Sequence, residues 1–375
     1  MLTPREAFIT LNLIPGLGSV RIRSLLDFFG SAELVLAAPT NMLVRVPRIG
    51  PALAAAIADW RNCTNVQAEL DYTAQYGCRI VTLLDEDYPA TLRQMDDPPV
   101  ILYVKGELRD DDFRRAVSVV GTRRATPYGM TTARTMAREL ADAGHTIISG
   151  LARGIDTAAH WGALDAGGRT VAVLGFGLAE FYPPENAELA DCICNGHGAL
   201  VSEFPMYLRP SQNTFPQRNR IVAAWGEATL VAEAPSRSGA LHTASMAAAN
   251  YGRMVFAVPG SIQSPASSGC HDLIRDGATL CTSAQQLISD MHWDAPQQLE
   301  LFAEDAPAPQ PVADDLYAPG SEEAKTLAAI RQGHDTLDAL CSALGMGAHT
   351  LTPLLMRLQI QGSVRPAEGG RFICR

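Results

Sequence analysis

From about residue 78 to 290, short runs of β-branched and aliphatic residues alternate with longer stretches in which apolar positions recur every three to four residues. The runs are Arg79 to Leu83, Val117 to Val120, Thr146 to Ile148, Thr170 to Leu174, Ala199 to Ser202, Thr229 to Ala232 and Met254 to Val258. Apolar runs of this length, with little polar alternation, are strands buried on both faces. Strands separated by helices are joined by crossovers that set them parallel. The pattern predicts a Rossmann-like α/β domain over 71–293, with a doubly wound, mostly parallel sheet.

The flanks follow other periods. Residues 1–70 read as a small helical domain: a helix from Pro4, a turn at Ile14-Pro15-Gly16-Leu17-Gly18, a helix from Val20 to Phe29, a turn at Val46-Pro47-Arg48-Ile49-Gly50 and a helix from Pro51 to Trp60. Two Pro/Gly turns, each leading into an apolar-periodic helix, look like paired helix-hairpin-helix units. Such turns either offer backbone amides to a phosphate or simply pack helices, and the pattern leaves both open. Residues 294–320, rich in Pro, Ala and acid, predict an extended linker. In 321–375, helices near Glu322 to Arg331, Leu337 to Leu344 and Thr350 to Gln361 precede a hairpin from Ser363 to Cys374, turning at Glu368-Gly369-Gly370. That is the order of a winged helix-turn-helix.

With 375 residues, 47% of them hydrophobic, the chain can fill the cores of two or three domains. Its N-terminus lacks the features of a signal peptide, and no apolar run reaches membrane-spanning length, so a cytoplasmic location is expected. The eight cysteines form no CxxC pair and no cluster with His at zinc spacing, which predicts reduced core thiols and no metal. The net charge of −10 argues against coating nucleic acid by bulk electrostatics. A nucleic-acid site must be focused.

The candidate chemistry lies where strands end. Val117 to Val120 runs into Gly121-Thr122-Arg123-Arg124, and a helix follows near Pro127. In open α/β sheets ligands sit beyond the carboxyl ends of the strands, where a glycine lets amides approach an anion. The dinucleotide fingerprint and the GxxxxGK[ST] loop are absent, so no nicotinamide or ATP cofactor is expected. Arg123 and Arg124 supply the charge an anion site needs, although surface arginines are as often merely solvated. Ser149-Gly150-Leu151-Ala152-Arg153-Gly154-Ile155-Asp156 repeats the strand, glycine turn and helix, so two amide-lined turns can face one crevice and suit a polyphosphate or a nucleic-acid strand.

Asp156 reads as a helix N-cap and His160 as a packed or hydrogen-bonded histidine. Phe215-Pro216-Gln217-Arg218-Asn219-Arg220 joins two arginines, an amide and an aromatic ring, the groups that grip phosphates and stack on unpaired bases. Ser238 to Ala244 and Val258-Pro259-Gly260 add small-residue turns at the same edge, either for contact or for tight turning alone. Asp156, Glu203 and Glu233 stand near strand ends, but with no Asp-x-Asp or His-rich pair beside them a metal-dependent nuclease is not expected.

Taken in order, these motifs resemble the DNA-processing protein A (DprA/Smf) family over nearly the whole chain. Val119-Val120-Gly121-Thr122-Arg123 is similar to its first Gly-[Ser/Thr]-Arg turn, Ser149 to Asp156 to its SGLARGID signature, and Phe215 to Ile221 to its FPxRNRI element. Ser238 to Ala244 resembles SGxLxTA, and Ser268 to Ile274 with Asp276-Gly277-Ala278 resembles SxGxNxLIxxGA. The resemblance implies a sterile-alpha-motif-like N-terminal domain, a central extended Rossmann-type domain and a C-terminal winged helix. It implies a homodimer that binds single-stranded DNA in a basic pocket and recruits the RecA recombinase during transformation. Carried over, the pocket would use Gly121, Thr122 and Arg123, then Ser149 and Gly150, with Asn219 and Arg220 completing it. Arg169 matches a family lysine, and His271-Asp272 departs from the family pattern.

The expected function is therefore that of a non-enzymatic single-stranded DNA-binding protein that protects incoming strands and loads RecA, with Arg123 and Arg220 exposed at the crevice. Binding should be salt-sensitive and sequence-tolerant. The alternative is a nucleotide-acting enzyme like the lysine-decarboxylase-like phosphoribohydrolases, which would need a PGGxGTxxE element that neither Pro259-Gly260-Ser261-Ile262 nor Pro235-Ser236-Arg237-Ser238 supplies. A transcription regulator is a third class. Its recognition helix, Thr350 to Leu358, would carry one arginine among many leucines, a composition better suited to protein contacts.

Overall fold

A computed structural model describes residues 2–293, 317–318, 320–360, 363–367 and 371–374. The chain divides into two compact units, Met1–Ala295 and Pro296–Arg375. The expected linker lies almost wholly outside the described residues, and so does the turn at Glu368-Gly369-Gly370.

Seven helices open the first unit: α1 Pro4–Leu13, α2 Ser19–Phe29, α3 Ala32–Ala37, α4 Thr40–Leu43, α5 Pro51–Ala58, α6 Trp60–Cys63 and α7 Val66–Gln75. The first begins with a capping box, in which Thr3 Oγ1 accepts from the Glu6 amide at 3.2 Å and the Glu6 carboxylate accepts from the Thr3 amide at 2.7 Å. Ile9, Leu11, Ile22, Leu25 and Ile57 are buried in one cluster with Ile101, Tyr103, Leu174 and Leu200 of the sheet. The helical segment and the sheet thus share a core.

The rest of this unit runs β1 Cys78–Thr82, α8 Ala90–Arg93, β2 Ile101–Gly106, β3 Val117–Gly121, α9 Pro127–Asp142, β4 Ile147–Ser149, α10 Ile155–Asp165, β5 Thr170–Leu174, α11 Ala187–Cys192 and β6 Gly198–Ser202. It continues with α12 Thr214–Trp225, β7 Ala228–Glu233, α13 Gly239–Tyr251, β8 Met254–Ala257, α14 Ser268–Arg275, β9 Thr279–Leu280 and α15 Ala284–Asp290. The nine strands form one sheet in the order β1-β2-β6-β5-β4-β3-β7-β8-β9. β1–β2 and β2–β6 pair antiparallel, and every other neighbouring pair is parallel. This is the mostly parallel, doubly wound sheet that the alternation predicts.

Two strands were not in that pattern. β2 returns antiparallel beside β1 without a full crossover helix, and β9 has only two residues, so neither follows the strand–helix rhythm. One face of the sheet packs on Met136 and Leu140 of α9, Ile155 and Ala159 of α10 and Leu287 of α15. On the other face lie Leu92, Ile221, Trp225, Ala244 and Ala247, from α8, α12 and α13. The chain steps from β3 through β4 and β5 to β6 in one direction, then crosses back to place β7 on the other side of β3. The β3/β7 junction is therefore the topological switch point, where an open α/β sheet leaves a crevice.

The second unit contains α16 Glu322–Arg331, α17 Leu337–Leu344, α18 Ala348–Ile360 and the antiparallel pair β10 Val364–Ala367 and β11 Arg371–Cys374. Ile330, Leu340, Leu351, Leu355, Leu358 and Val364 form its core. Three helices followed by a two-stranded pair is the predicted order.

Candidate nucleic-acid interface

At the switch point, the turn after β3 (Gly121 to Arg124) and the turn after β7 (Pro235 to Ser238) face the first turn of α12 across a cleft of about 800 Å³. The turns are packed tightly from behind. A Cβ on Gly121 would lie 2.4 Å from Ile155 Cγ1 and 2.7 Å from the Glu233 carbonyl, so only glycine lets β3 end against α10.

Three exposed cations reach the cleft without a carboxylate at salt-bridge distance among the described residues: Arg123, Arg124 and Arg237. The Arg123 guanidinium lies 4.5 Å from the centre of the Phe215 ring, a cation–π contact that fixes both side chains at the mouth. Arg218, only 3% exposed, lies deeper, with Nη1 donating to the Val173 carbonyl and Nε unpaired. Gly150 makes room for it: a Cβ there would fall 1.7 Å from Arg218 Nη1. Burial lowers the Arg218 pKa to about 10 while Asp156 opposes the shift, so the group stays cationic at neutral pH. Burial likewise raises the Asp156 carboxyl, opposed first by the charge of Arg218. Asn219 completes this side of the cleft.

The glycine turns do not offer the row of free amides that the sequence suggests. Thr122 N–H donates to the Glu233 carbonyl at 2.7 Å and Arg124 N–H to Thr122 Oγ1 at 3.2 Å. Leu151 N–H donates to His160 Nε2 at 3.3 Å and Ala152 N–H to the Asp156 carboxylate at 3.4 Å. Asp156 is thus a second-position residue that reaches back over the turn, and Gly154 is the N-cap. Ser149, fully buried, donates Oγ–H to the Val119 carbonyl at 2.6 Å and ties β4 to β3.

His160 is buried. Thr170 Oγ1 donates to the Ile147 carbonyl at 2.7 Å, so it accepts the His160 Nδ1 proton at 2.7 Å, and Nε2 is left to accept from Leu151. Burial pushes its pKa down to about 3, making it a neutral brace. Leu151 holds a φ of 55°, unusual for a branched side chain, with its carbonyl accepting from Asn186 Nδ2 at 2.9 Å.

The other carboxylates near strand ends are occupied. Glu233 accepts from the Thr126 amide at 2.8 Å and the Thr126 hydroxyl at 2.7 Å, closing the start of α9, and Glu203 pairs with Arg220. At the variant positions, Asp272 accepts from Ser236 Oγ at 2.8 Å and His271 Nε2 lies 3.1 Å from the Gly260 carbonyl.

Of the sequence-predicted residues, Gly121, Thr122, Arg123, Arg124, Phe215, Arg218 and Asn219 line this cleft, with Ser149 and Gly150 behind it. Arg169 and Arg220 do not. Arg169 precedes β5, at the end of the strand opposite the cleft, with Nε and Nη2 each 2.6 Å from the buried Asp112 carboxylate. Arg220 is 11% exposed at its side chain and is not open to the crevice. It is held by Asp97 at 3.2 Å, by Glu203 and by Ser19 Oγ at 3.2 Å, in a separate groove of about 760 Å³. Successive helical residues turn by about 100°, so Phe215, Arg218 and Asn219 share one face of α12, and Thr214, Gln217 and Arg220 share another.

Sequence reasoning missed Arg153, Tyr182 and Arg237. Arg153 stands in the quoted SGLARGID element, and Arg237 follows β7 much as Arg123 follows β3. Nothing in the local sequence marked Tyr182, which the fold brings within 6.3 Å of the Phe215 ring.

The family described as DNA recombination-mediator protein A matches residues 79–292. The chain is 32% identical to protein Smf of Synechocystis over 97% of both chains, and 43% identical to DNA processing protein DprA of Streptococcus pneumoniae over 56% of this chain and 74% of that one. Among solved structures, DNA processing protein A from Streptococcus pneumoniae superposes with a TM-score of 0.67 at 36% identity, covering 77% of this chain and 98% of that one. DNA processing protein A from Helicobacter pylori, studied for its single-stranded DNA binding mode, gives 0.52 at 31% identity, covering 58% and 97%.

Proposed function

Because the chain belongs to the DNA recombination-mediator protein A family, we propose that it binds single-stranded DNA in the switch-point cleft, without chemistry on the strand, and passes that strand to the RecA recombinase. The observation that carries this reading is the set of unpaired Arg123, Arg124 and Arg237 around Phe215 in a protein of net charge −10. Other arginines of the first unit, among them Arg21, Arg45 and Arg48, also lack a carboxylate at salt-bridge distance among the described residues, but at the switch-point cleft three such arginines stand around one aromatic ring. Leaving three unpaired at one crevice focuses positive potential there.

The arginines neutralise phosphates, and Phe215 gives an unpaired base a face to stack on. With most turn amides occupied, register along the strand comes from guanidinium forks. Non-enzymatic action is supported by the duties of Asp156, Glu203 and Glu233, each engaged in structural bonds. Handing the strand to a recombinase fits the family's description as a recombination mediator; a role in DNA uptake, a cytoplasmic location and a homodimer are part of the same proposal. Two cleft copies on one strand would raise avidity through effective concentration.

The test is a fluorescence-anisotropy titration of a labelled oligonucleotide, single-stranded and then duplex, at two salt concentrations without nucleotide or metal. The expected result is salt-sensitive preference for the single strand with the label intact. No binding to either form overturns the reading.

A further inference from the structure

The two Pro/Gly turns of the helical segment fold alike. In Ile14-Pro15-Gly16-Leu17-Gly18 the Leu17 amide donates to the Ile14 carbonyl at 3.1 Å, and in Val46-Pro47-Arg48-Ile49-Gly50 the Ile49 amide donates to the Val46 carbonyl at 3.2 Å. Gly16 and Arg48, at the same position, hold φ of 78° and 66°, and Gly18 and Gly50 start α2 and α5 without a side-chain cap. The first turn leaves the amides of Gly16, Gly18, Ser19 and Val20 with no acceptor among the described residues. That is the row of free donors which the turns around the switch-point cleft lack.

These four residues line the groove of about 760 Å³ that contains Arg220. Arg21 and Arg48 stand exposed in the same groove, with no carboxylate at salt-bridge distance among the described residues. Arg21 Nη1 donates to the Gly16 carbonyl at 2.7 Å, which holds its charge beside the turn. Arg220, almost wholly buried, donates from Nη2 to Ser19 Oγ at 3.2 Å, and its buried Nη1 has no acceptor among the described residues. Asp97 and Glu203, the carboxylates of this groove, are both engaged with Arg220. Unmet amide and guanidinium donors therefore meet in one space, at the positive end of α2. Phe204 is the one aromatic among the lining residues and is buried, so an unpaired base finds no ring to stack on.

We propose that this groove is a second DNA site, separate from the switch-point cleft, which binds the phosphates of double-stranded DNA. The free amides at the start of α2 receive one phosphate, Arg21 and Arg48 neutralise its neighbours, and the bases, still paired, go unread. α12 divides the two sites: Phe215, Arg218 and Asn219 line the cleft, and Thr214, Gln217 and Arg220 line the groove. The helical segment shares its core with the sheet, so the groove is built on packed elements.

The test titrates the full chain against a labelled blunt duplex across a series of salt concentrations starting low. The wild type should bind it, and replacing Arg123, Arg124 and Arg237 together by alanine should leave that affinity unchanged. Arg21→Ala combined with Arg48→Gly should make the duplex salt slope shallower by roughly 1.8, at about 0.9 per phosphate contact, and leave single-strand affinity at the wild-type level. Arg48→Gly gives this left-handed position the residue that the first turn already uses, so the fold is kept. Ser19→Pro removes one amide and no charge at a first helical position, which α5 fills with Pro51. It should weaken duplex binding about tenfold with the slope unchanged. Absence of duplex binding at low salt, its loss in the cleft variant, a wild-type slope in the Arg21 and Arg48 variant, or an equal fall in that variant's single-strand affinity overturns the groove. The single-strand reading of the cleft stands or falls separately, on its own titration.

Discussion

Arg123 and Arg220 both sit in motifs that the sequence marks for DNA, yet the fold gives them opposite duties. Arg123 emerges from a turn at the switch point with a ring beneath it and no carboxylate at salt-bridge distance, whereas Arg220 lies between Asp97 and Glu203 in a groove on the other side of α12. Under the proposed function the same guanidinium serves as a ligand-binding group in one place, while in the other it is a structural brace. What separates them is the availability of a counter-charge, which depends on tertiary placement and is invisible in a linear motif.

The largest effect expected from breaking this contrast is on the brace. Arg220→Ala leaves Glu203 buried without compensation, and loss of one partner of a buried pair costs about 3 kcal/mol or more. Urea unfolding should show that loss, while the variant that remains folded keeps its single-strand affinity. Arg123→Ala should do the reverse: affinity for single strands falls on the order of tenfold, from lost phosphate and stacking contributions, with the thermal midpoint nearly unchanged.

His160, behind the cleft wall, sharpens the contrast through pH. Its folded pKa of about 3 lies below the ordinary 6.5, so the unfolded chain binds the extra proton first. The stabilisation is complete above about pH 6.5 and is lost as pH falls toward 3, at no more than about 1.4 kcal/mol per pH unit. His160→Gln should flatten that part of the acid limb in chemical denaturation measured from pH 7 to 4. The smallest effect is expected at Arg134, paired with Asp165 on the exposed surface. Arg134→Ala should change stability by under about 1 kcal/mol and leave DNA binding untouched.

Much of this was legible beforehand, for reasons that can be named. β3, β4 and β7 are buried on both faces, so their apolar runs stand out, and the glycine turns after β3 and β4 mark the carboxyl edge of the sheet where the cleft lies. Arg220 was not separable from Asn219 in sequence, because a helix turns adjacent residues to different faces. Arg169 follows a glycine pair as a turn arginine would, but it enters β5 at the wrong end of the strand to meet the cleft. Tyr182 reaches Phe215 through tertiary folding across 33 positions of chain, a proximity no local period encodes.

The central claim, that three unpaired arginines make the cleft a phosphate-binding site, is tested most directly by the salt dependence of single-strand affinity. For single strands, log K falls with log salt at a slope of about −0.7 per phosphate neutralised. Replacing Arg123, Arg124 and Arg237 together by alanine should therefore make the slope shallower by roughly 2. An unchanged slope, whatever the loss of affinity, would place the DNA elsewhere on the protein.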